Sequence, residues 1–256
     1  MIRALFVTLI TFAYILVLGP PVLIYALLTG NTDPVYGVGV LGAKMAVWLA
    51  GVQVEIGGLG KIPDNRAVVF MANHQGNCDP PALLSFLPPV LVMVKKEFFR
   101  VPVLGRAMLA LGFIPVDRKN REQAVAAVDQ AIFSLKAGKS FMVFPEGTRS
   151  LDGRLQPFKK GVFVMAIKAG VPIVPVSVSG SSKVMPKGKF AMRPGRVRIT
   201  VHDPVPTEGL GVEDRQAVME RVRQAILSGL AEDEWPLEAA SDSPAARATT
   251  QTASPA

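Results

Sequence analysis

The apolar positions divide the chain into stretches of different period. Residues 4–28 contain no acidic or basic side chain, and the stretch exceeds the roughly 20 residues that cross a hydrocarbon core. Gly19, Pro20 and Pro21 interrupt it. Proline removes a helix hydrogen bond and crowds the preceding turn, so the pattern predicts either a kinked transmembrane helix or a broken helical pair lying in the interface. A signal peptide is the competing reading; Arg3 favours it, whereas the length and the lack of a small-residue cleavage site oppose it. Residues 35–50 carry one charge, Lys44, and place Trp48 near their end. They predict a second helix, at the membrane or in a domain core.

Beyond residue 52 the pattern becomes one of short runs. β-Branched segments bounded by Gly, Pro or Asn predict strands at 52–56, 67–72, 90–94, 113–115, 140–144, 173–178 and 196–201. Val125, Val128, Ile132 and Leu135 recur at helical spacing between a capping Asn120 and Gly138. Val218, Val222, Ile226 and Leu230 mark one face of an amphipathic helix over 212–230. The alternation predicts an α/β fold, a single domain whose mixed β-sheet is flanked by helices, preceded by N-terminal membrane-associated helices. The expected organisation is a helical membrane segment over 1–52, the α/β domain over 53–231, and a disordered tail over 232–256 rich in Ala, Ser, Thr and Pro.

Composition narrows the partners. Half the residues are hydrophobic and 19% are charged, which favours contact with lipid. A net charge of +8 asks for an anionic partner. Aromatics are 7% of the chain and no nucleic-acid module is visible, so a lipid or a phosphorylated substrate is expected and nucleic acid is not. The one cysteine, Cys78, excludes an internal disulfide and a multi-cysteine metal site. The expected location is a membrane, at the cytoplasmic face of the inner or plasma membrane.

His74 follows the apolar run 67–70, and Asp79 precedes the proline pair Pro80-Pro81. One reading makes Asp79 a helix N-cap and His74 an ordinary loop histidine. The other folds the loop back so that the Asp79 carboxylate accepts a hydrogen bond from one imidazole nitrogen, leaving the other to act as base on an alcohol. Cys78 raises a Cys-His acyl-enzyme alternative, opposed by the absence of positive charge around it. Three further segments carry charge at strand ends: Lys95-Lys96-Glu97, residues 112–118, and residues 144–150 with Glu146, Gly147, Thr148 and Arg149. Arginine pairs with phosphate in bidentate fashion and glycine lets a ligand approach the backbone, so Arg118 and Arg149 are candidate phosphate contacts. The alternatives are surface salt bridges, Arg118 with Asp117 or Glu122 and Arg149 with Asp152, and a Glu146 that caps neighbouring amides. Backbone amides near Gly147 are candidate oxyanion donors. Residues 171–176 read as a buried strand, and residues 183–198 hold six basic side chains and no acidic one, a solvated face or a dock for anions.

Together Asn73-His74 through Asp79, Gly112 through Arg118, Phe144 through Ser150 and Val171 through Val176 resemble the glycerolipid acyltransferase family, in its order and spacing, over about residues 50–205. The resemblance implies transfer of a fatty acyl group, without metal or cofactor, from acyl-coenzyme A or acyl-carrier protein to the sn-2 hydroxyl of 1-acyl-sn-glycerol 3-phosphate, giving phosphatidic acid. It implies His74 as the base, Asp79 as its orienting partner, Arg118 and Arg149 at the acceptor phosphate with help from Lys95, and Glu146, Gly147 and Thr148 in the acceptor loop. Gln75-Gly76-Asn77-Cys78 departs from relatives that carry serine or tryptophan there, which leaves acceptor preference open. Another lyso-lipid acceptor, and a non-catalytic membrane-binding scaffold, are the alternative functions.

Overall fold

The computed structural model describes residues 2–117, 120–188 and 192–237. The first helix, α1 (Ile2–Thr29), runs unbroken through Pro20 and Pro21, so the broken pair is not realised. Val7 before the prolines and Leu23 and Ala26 after them are buried. Packing on both halves therefore outweighs the hydrogen bonds that the two prolines cannot donate. A second helix, α2 (Asp33–Leu49), returns antiparallel. Tyr14 Oη donates to the Val38 carbonyl at 2.8 Å and Arg3 Nε to the Leu49 carbonyl at 3.0 Å. Val7 and Val47 join the main core of the domain, whereas Trp48 is 75% exposed. α1 is long and apolar enough to cross a membrane, and it leaves Leu5, Phe6, Leu9, Phe12, Val17 and Leu28 exposed.

The seven strands are β1 (Val52–Gly57), β2 (Val69–Ala72), β3 (Val90–Lys95), β4 (Ile114–Val116), β5 (Ser140–Val143), β6 (Ile173–Ser179) and β7 (Gly195–Val201). Each predicted strand is found, with ends displaced by no more than two residues. They form one sheet in the order β1-β7-β6-β2-β5-β3-β4, parallel except for the antiparallel β6–β7 pair. β2 reads as a continuous apolar run because both faces of the sheet are covered. Phe70 and Ala72 point into one core, with Leu83 and Val176, and Val69 and Met71 into the other, with Phe141, Phe163 and Ile226. This alternation is the period of two expected of a strand.

The remaining helices are α3 (Asp79–Leu84), α4 (Leu104–Ala110), α5 (Arg121–Lys136), α6 (Gly161–Ala169), α7 (Ser181–Val184) and α8 (Arg215–Ser228). Asn120 caps α5 by accepting the Gln123 amide at 3.1 Å. A 3₁₀ turn at Val212–Asp214 precedes α8, so the C-terminal helix begins later than its apolar period suggests. Residues 232–235, expected in the tail, pack onto the domain. The Glu234 side chain is buried and accepts the Gly180 amide at 2.7 Å, and the Trp235 carbonyl accepts from Arg154 at 2.7 Å. The rest of the expected tail, 238–256, lies outside the described residues.

This topology gathers the loops that leave the carboxyl ends of β2, β5, β3 and β4 at one edge of the sheet, where α/β folds bind ligands. The carboxyl end of β6, which runs parallel to β2, lies at the same edge.

Candidate active site

β2 ends at Ala72, and the next residue anchors the loop that follows. The buried Asn73 side chain donates to the Val178 carbonyl at 2.8 Å and accepts the Val178 amide at 2.7 Å, so it continues the pairing of β2 with β6 where the strand has ended. His74 thus leaves a fixed point. Its Nδ1 lies 2.7 Å from Asp79 Oδ2, and its ring stacks on Phe144 with centroids 3.9 Å apart and planes 18° apart.

Asp79 is the first residue of α3, and Cys78 occupies the cap position. Its Oδ2 accepts the Gln75 and Gly76 amides, each at 2.8 Å, besides the imidazole. The carboxylate therefore serves the loop upstream of the helix and does not cap the helix, which sets aside the N-cap reading. Two backbone N–H groups hold this fully buried carboxylate at the ring nitrogen, as burial of an anion requires. With Nδ1–H donating to Asp79, Nε2 carries the lone pair, and an imidazole so oriented is able to accept a proton from an alcohol.

Cys78 does not fit the acyl-enzyme alternative. It is buried, its Sγ lies 3.7 Å from the Ser181 carbonyl, and burial together with the neighbouring Asp79 charge pushes its thiol up. A thiol so held has little thiolate at neutral pH.

The turn after β5 lies against His74. Glu146 is 2% exposed and its Oε1 accepts the His74 amide at 3.0 Å. This is the amide-capping alternative: the carboxyl sits beneath the loop rather than open to a ligand. Burial, with the repulsion of Asp79, pushes it up to about 8 against the bonds from the His74 and Gln156 backbone. The native state therefore favours neutral Glu146, and its contribution to stability is present below the ordinary carboxylate range and lost as pH rises from about 4.5 to about 8. Glu146→Gln keeps an acceptor for His74 and removes the titration. Its apparent melting temperature relative to wild type should climb by on the order of 10 °C between ~pH 5 and ~pH 9. A constant difference across that range would remove the buried-acid assignment.

Gly147 has φ 71°, a left-handed conformation, and its amide donates to the Phe144 carbonyl at 3.0 Å. The Ser150 amide donates to the His74 carbonyl at 2.8 Å. The first N–H is committed within the turn and the second to the loop after β2, so the expected oxyanion donors near Gly147 are not these two. Thr148 is exposed and Arg149 half-buried. Asp152, the alternative partner for Arg149, instead accepts from Ser150 Oγ at 2.8 Å and the Arg154 amide at 3.0 Å. Among the described residues no carboxylate lies within ion-pair distance of Arg149.

Lys95 ends β3 and forms an exposed ion pair with Glu97 at 3.3 Å, a contact that contributes little. The register aligns Val92 with Met142 and Met71 with Val143, so Lys95 stands near the level of Asn73 two strands away, about 10 Å to the side. The structure therefore joins His74, Asp79 and Glu146 directly, with Arg149 in the adjoining turn and Lys95 farther along the same edge. Arg118 falls outside the described residues, and Asp117, one of its suggested partners, is ion-paired with Lys96. Phe144 and Lys187 were not singled out in the sequence. Phe144 opened a recognised motif, but nothing marked it as the surface against the imidazole. Lys187 is one of six cations in the basic run, and it lies against the Thr148–Arg149 turn.

An imidazole–carboxylate pair at the carboxyl edge of a mostly parallel sheet, beside an arginine-bearing turn, is an arrangement suited to acyl transfer to an alcohol. The family model described as Acyltransferase matches residues 53–179. A chloroplastic 1-acyl-sn-glycerol-3-phosphate acyltransferase of Brassica napus is 39% identical over 60% of this chain and 45% of its own length. A 1-acyl-sn-glycerol-3-phosphate acyltransferase of Borreliella burgdorferi is 30% identical over 73% of this chain and 75% of its own. The crystal structure of the 1-acyl-sn-glycerophosphate (LPA) acyltransferase of Thermotoga maritima superposes with a TM-score of 0.76 at 32% identity, covering 89% of this chain and 96% of that one. The chain belongs to the glycerolipid acyltransferase family that contains these 1-acyl-sn-glycerol-3-phosphate acyltransferases. It spans about half the length of several curated relatives, 45% of the Brassica protein and 50% of one from Chlamydomonas reinhardtii.

Proposed function

We propose that this chain transfers a fatty acyl group from a thioester donor, acyl-coenzyme A or acyl-carrier protein, to the sn-2 hydroxyl of 1-acyl-sn-glycerol 3-phosphate at a membrane surface. The observation that carries the reading is the 2.7 Å contact between His74 Nδ1 and a fully buried Asp79 that two backbone amides also hold. His74 Nε2 takes the acceptor's hydroxyl proton as the oxygen attacks the thioester carbonyl carbon. The tetrahedral intermediate collapses with cleavage of the carbon–sulfur bond, and the departing thiolate takes the proton from the imidazolium. Asp79 stabilises that imidazolium, and no protein nucleophile is needed.

Arg149 binds the acceptor's phosphate, and its lack of a carboxylate partner among the described residues supports this role. Lys95 assists from the end of β3 and Arg118 joins it, and the Gly147–Arg149 turn shapes the acceptor site over the buried Glu146. The exposed apolar face of α1 supports membrane association. Because α2 and the loop before α4 pack along α1 from Val7 to Ala26, a helix lying in the interface accommodates the domain beside it more readily than one crossing the bilayer.

The test is flotation and transfer in one experiment, with vesicles containing 1-acyl-sn-glycerol 3-phosphate and labelled acyl-coenzyme A or acyl-carrier protein. Wild type should float with the vesicles and deposit label in phosphatidic acid. Arg149→Ala should float equally but need about 10–100-fold more acceptor for half-maximal rate. Unchanged acceptor dependence would remove Arg149 from the phosphate, and absence of transfer from either donor would sink the acceptor assignment.

A further inference from the structure

We propose that Lys187 is a specificity-determining residue of this acyl transfer, binding the acceptor's phosphate monoester beside Arg149 while it holds the turn that carries Arg149. The inference rests on the acceptor reading above and deepens it.

Residues 181–188 form a strap across the loops that follow β2 and β5. Gly76 pairs with Pro186 in an isolated antiparallel bridge, and the Asn77 amide donates to the Met185 carbonyl at 3.0 Å. A Cβ at Gly76 would lie 2.7 Å from the Ser181 carbonyl oxygen and 2.9 Å from that of Met185. Glycine is thus required for the strap to sit this close to the His74–Asp79 loop, which gives a structural reason for part of the departure at 75–78. At its far end Lys187 Nζ donates to the Arg149 carbonyl at 2.9 Å and to Thr148 Oγ1 at 3.3 Å.

An ammonium has three donors, and these contacts use two. Neither acceptor is charged. Among the described residues no carboxylate lies within ion-pair distance of Lys187, whereas Lys183, earlier on the same segment, pairs with Asp233 at 3.1 Å. The turn and the strap against it therefore carry two cationic side chains, Arg149 and Lys187, with no carboxylate within ion-pair distance among the described residues, a combination that favours an anionic ligand. A phosphate monoester, with nearly two negative charges at neutral pH, matches it. A zwitterionic diester headgroup offers one negative charge and brings a cation with it, so the pair favours the monoester.

Acyl-coenzyme A also carries phosphates, and kinetics separate the two sources. Lys187→Gln keeps a hydrogen-bond donor for the turn and removes the charge, whereas Lys187→Arg keeps the charge. With 1-acyl-sn-glycerol 3-phosphate in mixed micelles, Lys187→Gln should raise the acceptor KM about 10–100-fold, with kcat within about 3-fold and the donor KM within about 2-fold of wild type. Lys187→Arg should restore the acceptor KM to within about 3-fold. An unchanged acceptor KM, a fall in kcat alone, or a rise confined to the donor KM would each overturn the assignment. A wild type that does not acylate this acceptor would sink the parent reading and with it the role in transfer, but not the phosphate contact itself. In that case stabilisation of the wild type by 1-acyl-sn-glycerol 3-phosphate, read as a melting-temperature shift and lost in Lys187→Gln, still supports a phosphate contact. Equal shifts, or none, overturn it.

Discussion

Replacing His74 with alanine is expected to lower kcat/KM for acyl transfer by about 10³-fold or more while moving the apparent melting temperature by only a few degrees. The large effect follows from the role proposed for Nε2: without it no side chain hydrogen-bonded to Asp79 is left to take the acceptor's proton. The small effect on the fold follows from what the ring touches. It stacks on Phe144 at 3.9 Å and meets Asp79 at 2.7 Å, and its side chain is 14% exposed at a loop that Asn73 and Glu146 anchor through other atoms. Asp79 keeps the Gln75 and Gly76 amides when the ring is gone, so no uncompensated buried charge is created. Circular dichroism and vesicle flotation check the fold, and labelled transfer checks the activity. A variant that retained more than about a tenth of wild-type kcat/KM would move the base elsewhere.

The parts of the molecule legible in the sequence are those that local chemistry decides. The strands announced themselves because a mostly parallel sheet covered on both faces demands unbroken apolar runs, as in Val69–Ala72. The α5 cap was legible because Asn120 bonds an amide three residues away. Strand order was not, since the return of β5 to a place between β2 and β3 and the antiparallel turn of β7 depend on contacts far apart in sequence. The continuity of α1 through two prolines likewise rests on contacts with α2 and α4 that its own residues do not encode.

The site divides in the same way. His74 and Asp79 were legible from a five-residue spacing at the end of an apolar run. Glu146 carried the right position and the wrong depth: its charge suggested a ligand, whereas the turn directs it beneath His74. Lys187 was hidden among six cations because the strap that sets it apart is defined by Gly76 and Pro186, residues without charge.

Asp79 gives the second large effect, and here two substitutions should differ. The Oδ2 atom accepts three donors, His74 Nδ1 at 2.7 Å and the Gln75 and Gly76 amides at 2.8 Å. In Asp79→Asn the two backbone N–H groups compel the side-chain oxygen to occupy that position, because a rotated amide would set its own N–H groups against theirs. The oxygen then still accepts from Nδ1–H, so the imidazole keeps its tautomer and orientation and loses only the charge that stabilises the imidazolium. Its kcat should fall about 10²–10³-fold, less than where a neutral replacement also reverses the tautomer. The Asn amide nitrogen replaces Oδ1, a buried atom without a hydrogen-bond partner, so a modest loss of stability accompanies this, about 1–3 kcal/mol. Asp79→Ala removes the acceptor for all three donors, frees the ring and leaves two buried amides unpaired. It should lose at least about 10³-fold in kcat and more stability than the asparagine variant. Parallel kinetics and thermal melts on the two proteins decide the matter. Equal losses in both would mean that the charge of Asp79 accounts for the whole effect and the retained oxygen for none of it, and an asparagine variant as active as wild type would mean that Asp79 acts through loop structure alone.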